Sequence, residues 1–159
     1  DGPNIINIAR WGEEAIALAS KSVDYGQTWS KVSPSNLPMS TSKPYSGRLS
    51  SGEYYLIGAT YEGVKKSRKT LTIALSQPGE LLFSKIFVIR HADFPEGIGE
   101  SHTNAALAYP HAVEHEGKLY IGYSNNGGKV GRPEGEGREL WNNNSAEMAI
   151  IPIDQLTQP

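Results

Sequence analysis

A chain of 159 residues suffices for one ordinary domain. Its 17 acidic against 15 basic residues leave a net charge of -2, so no global basic field points to nucleic acid. No apolar run approaches the ~20 residues of a membrane helix, and the absence of cysteine excludes a disulfide scaffold and any thiolate metal site. Seventeen glycines and ten prolines disfavour a helical bundle and fit many short strands joined by turns. The start, Asp1-Gly2-Pro3-Asn4, has neither an initiator Met nor a signal peptide and reads as a cut within a longer polypeptide.

No stretch sustains a 3.6-residue period. Short β-rich runs recur instead, at 4–9, 14–20, 46–50, 53–60, 70–76, 83–90, 110–115, 118–124 and 147–153. Two are read as tight hairpins, 46–50 with 53–60 through Ser51-Gly52 and 110–115 with 118–124 through Glu116-Gly117, since an X-Gly pair supplies the positive φ of a primed turn. An internal repeat relates the segment from Ala15 (AIALASKSVDYGQTWSKV) to that from Leu71 (LTIALSQPGELLFSKIFV), and a third copy begins at Met148.

The repeat and the hairpins together define a unit of four antiparallel strands, A to D from the inside outward, of the kind that forms a β-propeller blade. Strands 46–50, 53–60, 70–76 and 83–90 make one full unit. The unit before it lacks at least A, and the unit after it has A, B and C without D. The expectation is an all-β chain of about two and a half blades, with blade boundaries near 45 and 109. The alternative is a stand-alone β-sandwich of about nine strands. An open stack of blades exposes apolar faces, so the rest of a propeller or a second copy of the chain is expected as a partner.

Ser22-Val23-Asp24-Tyr25-Gly26-Gln27-Thr28-Trp29 reads S-x-D-x-G-x-T-W. This resembles the Asp-box, or BNR repeat, of sialidases and related propellers. A second copy at 76–83 keeps only Ser76, Gly79 and the aromatic Phe83, and Ser46-Gly47-Arg48-Leu49 and Tyr109-Pro110-His111-Ala112-Val113 look like inner-strand starts of the same family. Physically, the Asp24 carboxylate accepts from turn N–H groups, Gly26 permits the turn, Thr28 suits the following strand and Trp29 anchors the turn to the blade. The resemblance implies that Ser22, Asp24, Gly26, Thr28 and Trp29 are structural. The resemblance implies a six-bladed propeller, with these turns on the rim away from the site.

Alternation of strand direction places the A–B and C–D turns on one face and the long connections 61–69, 91–109 and 125–146 on the other, where irregular polar loops form binding sites. At that mouth Arg48 and His111 are expected to open inner strands, and Tyr123 to close a strand B beside His111. His102, Asn125, Arg132 and Arg138 are expected to bind substrate. The loops also bring His91, Asp93, Glu100, Glu134, Glu136 and Glu139. His115 falls at the far turn and is read as structural. The Gly-rich stretch 127–137 lacks P-loop spacing and is read as a lid. Lys65-Lys66-Ser67-Arg68-Lys69 is a solvated basic loop, and Asn143-Asn144-Ser145 is a glycosylation sequon if the chain meets that machinery. The four histidines lack metal-ligand spacing, so neither metal nor other cofactor is expected.

The resemblance implies a glycoside hydrolase that removes a terminal acidic sugar from glycans. Arg48 matches a carboxylate clamp. Tyr123 matches the tyrosine nucleophile, an exception among glycosidases, which needs a neighbouring Glu as base. The family's Arg-Ile-Pro motif and acid/base Asp are not present in this chain. A propeller lyase acting on uronates, using Arg48, His111 and Tyr123, and a non-catalytic glycan-binding propeller are the alternatives. A secreted or periplasmic location accompanies all three, without nucleic-acid or membrane partners.

Overall fold

The computed structural model describes residues 2–11, 13–61, 63, 67–92, 106–126, 129–130, 140–141 and 145–158. They form twelve strands: β1 (Ile5–Arg10), β2 (Ile16–Ser22), β3 (Ser33–Pro38), β4 (Tyr45–Arg48), β5 (Tyr54–Ala59), β6 (Thr70–Ser76), β7 (Phe83–His91), β8 (Ala106–His115), β9 (Lys118–Asn126), β10 (Lys129–Val130), β11 (Leu140–Trp141) and β12 (Ser145–Pro152). One short helix, α1 (Ile153–Thr157), follows. The chain is all-β, as the turn-rich composition implies. Its three main sheets run in the orders β1-β2-β3, β4-β5-β6-β7 and β12-β9-β8, with β10-β11 as a small separate hairpin. The main sheets are antiparallel and consistent with partial propeller blades. The middle sheet has four strands and each flanking sheet has three.

The middle sheet is covered on both faces, and side-chain alternation divides its core in two. Leu56 and Ala74 turn toward the first sheet and pack with Ala17, Leu37 and Met39. Tyr55, Ile57, Leu71, Ile73 and Leu75 turn the other way, onto Leu107, Leu119, Ile121 and Tyr123 of the third sheet. All seven residues of β6 are buried as a result. Full burial of each such aliphatic side chain contributes about 1.5–3 kcal/mol.

Several elements depart from the sequence reading. The strand β3 is absent from it because its sequence, SPSNLP, holds two prolines. Both are tolerated because β3 is an edge strand whose pairing with β2 is irregular. Trp29 does not open this strand, which begins four residues later at Ser33. The strand β8 extends four residues upstream of its expected start at Pro110. A bulge sets Tyr109, with φ of 54°, and Pro110 opposite Tyr123, so the proline sits inside the strand at no cost to the ladder. The A–B connection of the middle sheet has three residues rather than two. Gly52 N–H donates to Leu49 O at 2.9 Å, Leu49 N–H donates to Glu53 O at 2.8 Å, and Gly52 takes a φ of 109°. Ile153 leaves β12 and starts α1, where Ile153 and Leu156 fill the core between the middle and third sheets.

The inner strand β4 also shows a close approach. A Cβ on Gly47 would lie 2.4 Å from the Tyr55 hydroxyl and 2.5 Å from its ring carbon, because the buried Tyr55 side chain crosses directly over position 47. Gly47→Ala is expected to destabilise the protein by about 1–3 kcal/mol through overpacking. Urea denaturation checks this, and an unchanged midpoint would mean that Tyr55 moves aside freely.

Candidate functional site

The eight-residue turn from Ser22 to Trp29 joins β2 to β3. Its geometry follows from the motif residue by residue. Asp24 accepts at Oδ1 from Thr28 N–H (2.9 Å) and the Ser22 hydroxyl (2.7 Å), and at Oδ2 from the Thr28 hydroxyl (2.6 Å). Ser22 Oγ accepts in turn from Gly26 N–H at 2.8 Å. Tyr25 and Gly26 both take positive φ, 60° and 84°. The Trp29 indole N–H closes the turn onto Gly26 O at 3.0 Å. That ring is 45% exposed, so it braces the turn itself rather than plugging into the sheet. The hydrogen bonds from the Thr28 side chain and backbone, then from Ser22, hold the Asp24 carboxyl down at about 2. Its hydrogen bonds thus come from its own turn, from the Thr28 backbone and from the Ser22 and Thr28 hydroxyls.

The degenerate copy is held differently. No carboxylate occupies the Asp24 place. Gly79 N–H donates to Gly52 O at 3.1 Å, as Tyr25 N–H does to Pro3 O at 3.0 Å, and Ser76 Oγ accepts from Tyr54 N–H at 2.9 Å. The C–D turn is thereby tied to the neighbouring A–B turn.

The three residues expected to share one funnel stand on different faces. Arg48 ends β4 rather than opening it and pairs with Tyr54 beside the A–B turn, so it lies on the turn face together with the Asp-box. Its guanidinium sits 5.5 Å from the Tyr54 ring centre, and its Nε donates to Gly52 O at 3.4 Å. His111 lies within β8 rather than at its start, opposite Gly122, with its ring 5.1 Å from that of Tyr45. Tyr123 is the next residue along β9 and projects to the other side of that sheet, where it is 7% exposed against the middle sheet. Arg48 is the last residue of β4 and not the opening residue of an inner strand over 46–50.

Tyr123 belongs to a polar group toward the loop end of the strands. Glu147 on β12 is its cross-strand partner. The carboxylate receives Asn125 Nδ2 at 2.6 Å and lies 3.6 Å from Arg90 Nε on β7. Burial first, then the hydrogen bond to Glu147 and its negative charge, push the Tyr123 phenol up to about 12, with Arg90 opposing. Nearby, the Thr70 hydroxyl and His91 Nδ1 are 2.6 Å apart. At the opposite end, Glu114 of β8 reaches across to the A–B turn of the middle sheet, accepting from Ser50 N–H at 2.8 Å and from the Ser50 hydroxyl. Neither Glu147 nor Arg90 nor Glu114 is marked by a motif. Glu147 was accessible through its register opposite Tyr123, but that required the length of the intervening connection to be known.

The BNR repeat-like domain matches residues 1–121, which run from the first sheet into β9. The chain belongs to the BNR repeat-like family. Domains of this kind occur in sialidases and related glycan-active proteins. No curated protein and no solved structure matches this BNR repeat-like chain.

Among the expected substrate-binding residues, Asn125 is buried and hydrogen-bonded to Glu147. His102, Arg132 and Arg138 lie outside the described residues, as do Asp93, Glu100, Glu134, Glu136, Glu139, Lys65, Lys66 and the asparagines of the sequon. Of the stretch read as a lid, only Lys129–Val130 is described, as β10 paired with β11. Arg68, in the basic loop, donates to Thr41 O at 2.7 Å, and its own carbonyl accepts from Leu107 N–H. It therefore ties the first connection to both flanking segments. Among the described residues no cluster of His, Asp and Glu suits a metal ion.

Because the folded-state pKa of Asp24 is depressed, its stabilising effect is complete above about pH 4 and is lost as pH falls through about 2. Asp24→Ala is expected to lower Tm at neutral pH, with a deficit that shrinks between pH 4 and pH 2. Thermal unfolding across that range checks this, and parallel Tm profiles for the two proteins would contradict it.

Proposed function

We propose that this BNR repeat-like chain forms part of a glycan-active propeller that hydrolyses the bond to a terminal acidic sugar, with Tyr123 as nucleophile and Glu147 as its base. The observation that carries this reading is the Tyr123–Glu147 pair, at the end of the sheets away from the Asp-box turn. A phenol becomes a useful nucleophile near neutral pH only with a base beside it, and a hydrogen-bonded carboxylate is such a base. Asn125 and Arg90 orient that carboxylate. Family membership supports a glycan as the ligand class. Arg48, His111 and Tyr123 do not converge, which removes Arg48 as the carboxylate clamp beside Tyr123 in the hydrolase reading and leaves the uronate-lyase reading without its three-residue site.

A second reading, a glycan-binding propeller without catalysis, is favoured by a specific feature. Tyr123 is buried between sheets, and its phenol is held protonated, up at about 12. In that reading the tetrad of Tyr123, Glu147, Asn125 and Arg90 fastens the third sheet to the middle one.

The two readings separate on the full-length protein offered an α-linked sialoside, with release of the free acidic sugar as readout. Hydrolysis by the wild type is expected, with kcat lower by roughly 10²–10⁴-fold in Glu147→Gln and by at least about as much in Tyr123→Phe. In Glu147→Gln the Tyr123 phenol should also titrate lower by ultraviolet absorbance, since the carboxylate charge that raises it is gone. Binding of the sialoside without release, or wild-type kcat in both variants, would overturn the hydrolase reading.

A further inference from the structure

We propose that Arg68 is a positioning residue for Glu147, holding β7 and β8 at the spacing that lets Arg90 and Asn125 both reach that carboxylate. The proposal rests on the hydrolase reading, in which Glu147 is the base. The first support is that the polar group around Glu147 is assembled from two sheets. Leu107 pairs with Asn125, and Tyr123 with Glu147. Residues two apart on a strand point the same way, so Leu107, Tyr123, Asn125 and Glu147 share the face of the third sheet that meets the middle one. Arg90 comes from β7 of the middle sheet. Its Nε lies 3.6 Å from the Glu147 carboxylate, beyond ordinary hydrogen-bond distance, so this contact depends on how closely the two sheets approach at this end.

The second support is the backbone that sets this approach. Arg68 O accepts from Leu107 N–H at 2.8 Å, and Lys69 O accepts from Ala92 N–H at 2.8 Å. Leu107 lies near the start of β8, directly opposite Asn125. Ala92 follows β7, two residues after Arg90. Two consecutive carbonyls thus hold the end of the strand that carries Arg90 and the start of the strand that pairs with Asn125. Arg68 and Ala106 also form a parallel bridge, so the middle and third sheets meet here through main chain as well as through the Arg90–Glu147 ion pair.

The third support is the anchor. The half-buried Arg68 side chain leaves this segment and donates through Nη2 to Thr41 O at 2.7 Å, in the connection between the first and middle sheets. That connection is itself pinned. Ser40 and Ser42, on either side of Thr41, are both buried. Ser40 N–H donates to Ala59 O at 2.8 Å, and Ser42 N–H donates to Ser40 O at 2.7 Å. A charge-assisted donor on a fixed carbonyl gives residues 68 and 69 a reference point outside both strands they hold. Without it, β8 is free to shift against β7, and the long Arg90–Glu147 contact is the first to open.

The test is a double-mutant cycle on the full-length protein with the α-linked sialoside. Arg68→Ala is expected to lower kcat by roughly 10–10²-fold with KM little changed, since a misplacement of about 1 Å costs up to that much. Added to Arg90→Ala, it should lower kcat by less than about twofold further, because two changes acting on one contact do not multiply. Arg68→Lys keeps a cationic donor for Thr41 O and should recover kcat to within about threefold of wild type. A second readout needs no hydrolysis. The Asn125 side-chain amide, which donates to Glu147, should exchange its protons about tenfold faster in Arg68→Ala, with the β6 backbone amides unchanged. Losses that multiply with Arg90→Ala, an unchanged Asn125 amide, or faster exchange in β6 as well would overturn the proposal. An inactive wild type in which Arg68→Ala still frees the Asn125 amide would remove the hydrolase reading while supporting the placement of Glu147 by Arg68.

Discussion

The middle sheet has no wet face, and this constraint governs the rest of the molecule. Seven consecutive buried residues in β6 demand a partner surface on either side. The first sheet supplies one through Ala17, Leu37 and Met39, and the third supplies the other through Leu107, Leu119 and Ile121. A four-stranded sheet of this composition would not stay soluble alone. The flanking sheets in turn direct an apolar face toward it and leave their opposite faces less well covered. Val113, Met148 and Ile150 of the third sheet remain exposed on the side away from the middle sheet.

Polar contacts are arranged at the two ends of this stack. On the turn face, Glu114 grips the neighbouring hairpin at Ser50, and the Gly79–Gly52 bond ties two turns of one sheet together. Toward the other end, Glu147 gathers Asn125 and Tyr123 from β9 and Arg90 from β7. Apolar area supplies the adhesion between sheets, and these directional contacts fix how one sheet slides against the next. Tyr45 belongs to both kinds of contact: its ring packs in the core while its hydroxyl donates to Ala112 O of the third sheet at 3.2 Å.

The all-β class and the grouping into sheets were legible because they depend on local alternation and on turn residues. The Asp-box turn was legible as a local unit, since the groups it uses lie within eight residues, but not the Ser22 and Thr28 hydroxyls on Asp24 or the bracing of the turn by Trp29. Placement of the site was not. It depends on which end of an inner strand each residue occupies, and Arg48 ends β4 beside the A–B turn rather than opening an inner strand at the loop mouth. Pro110 misled in a similar way, because a bulge let the strand run through it. Glu147 and Arg90 were invisible because they reach Tyr123 across a sheet and between sheets, and no local pattern records such proximity.

The two C–D turns differ in one chemical respect. The turn of the first sheet hangs on a carboxylate, whereas that of the middle sheet uses a serine hydroxyl and backbone amides. Protons compete for the first set of bonds and are indifferent to the second. Acid therefore loosens the C–D turn of the first sheet directly, while the C–D turn of the middle sheet keeps its own bonds.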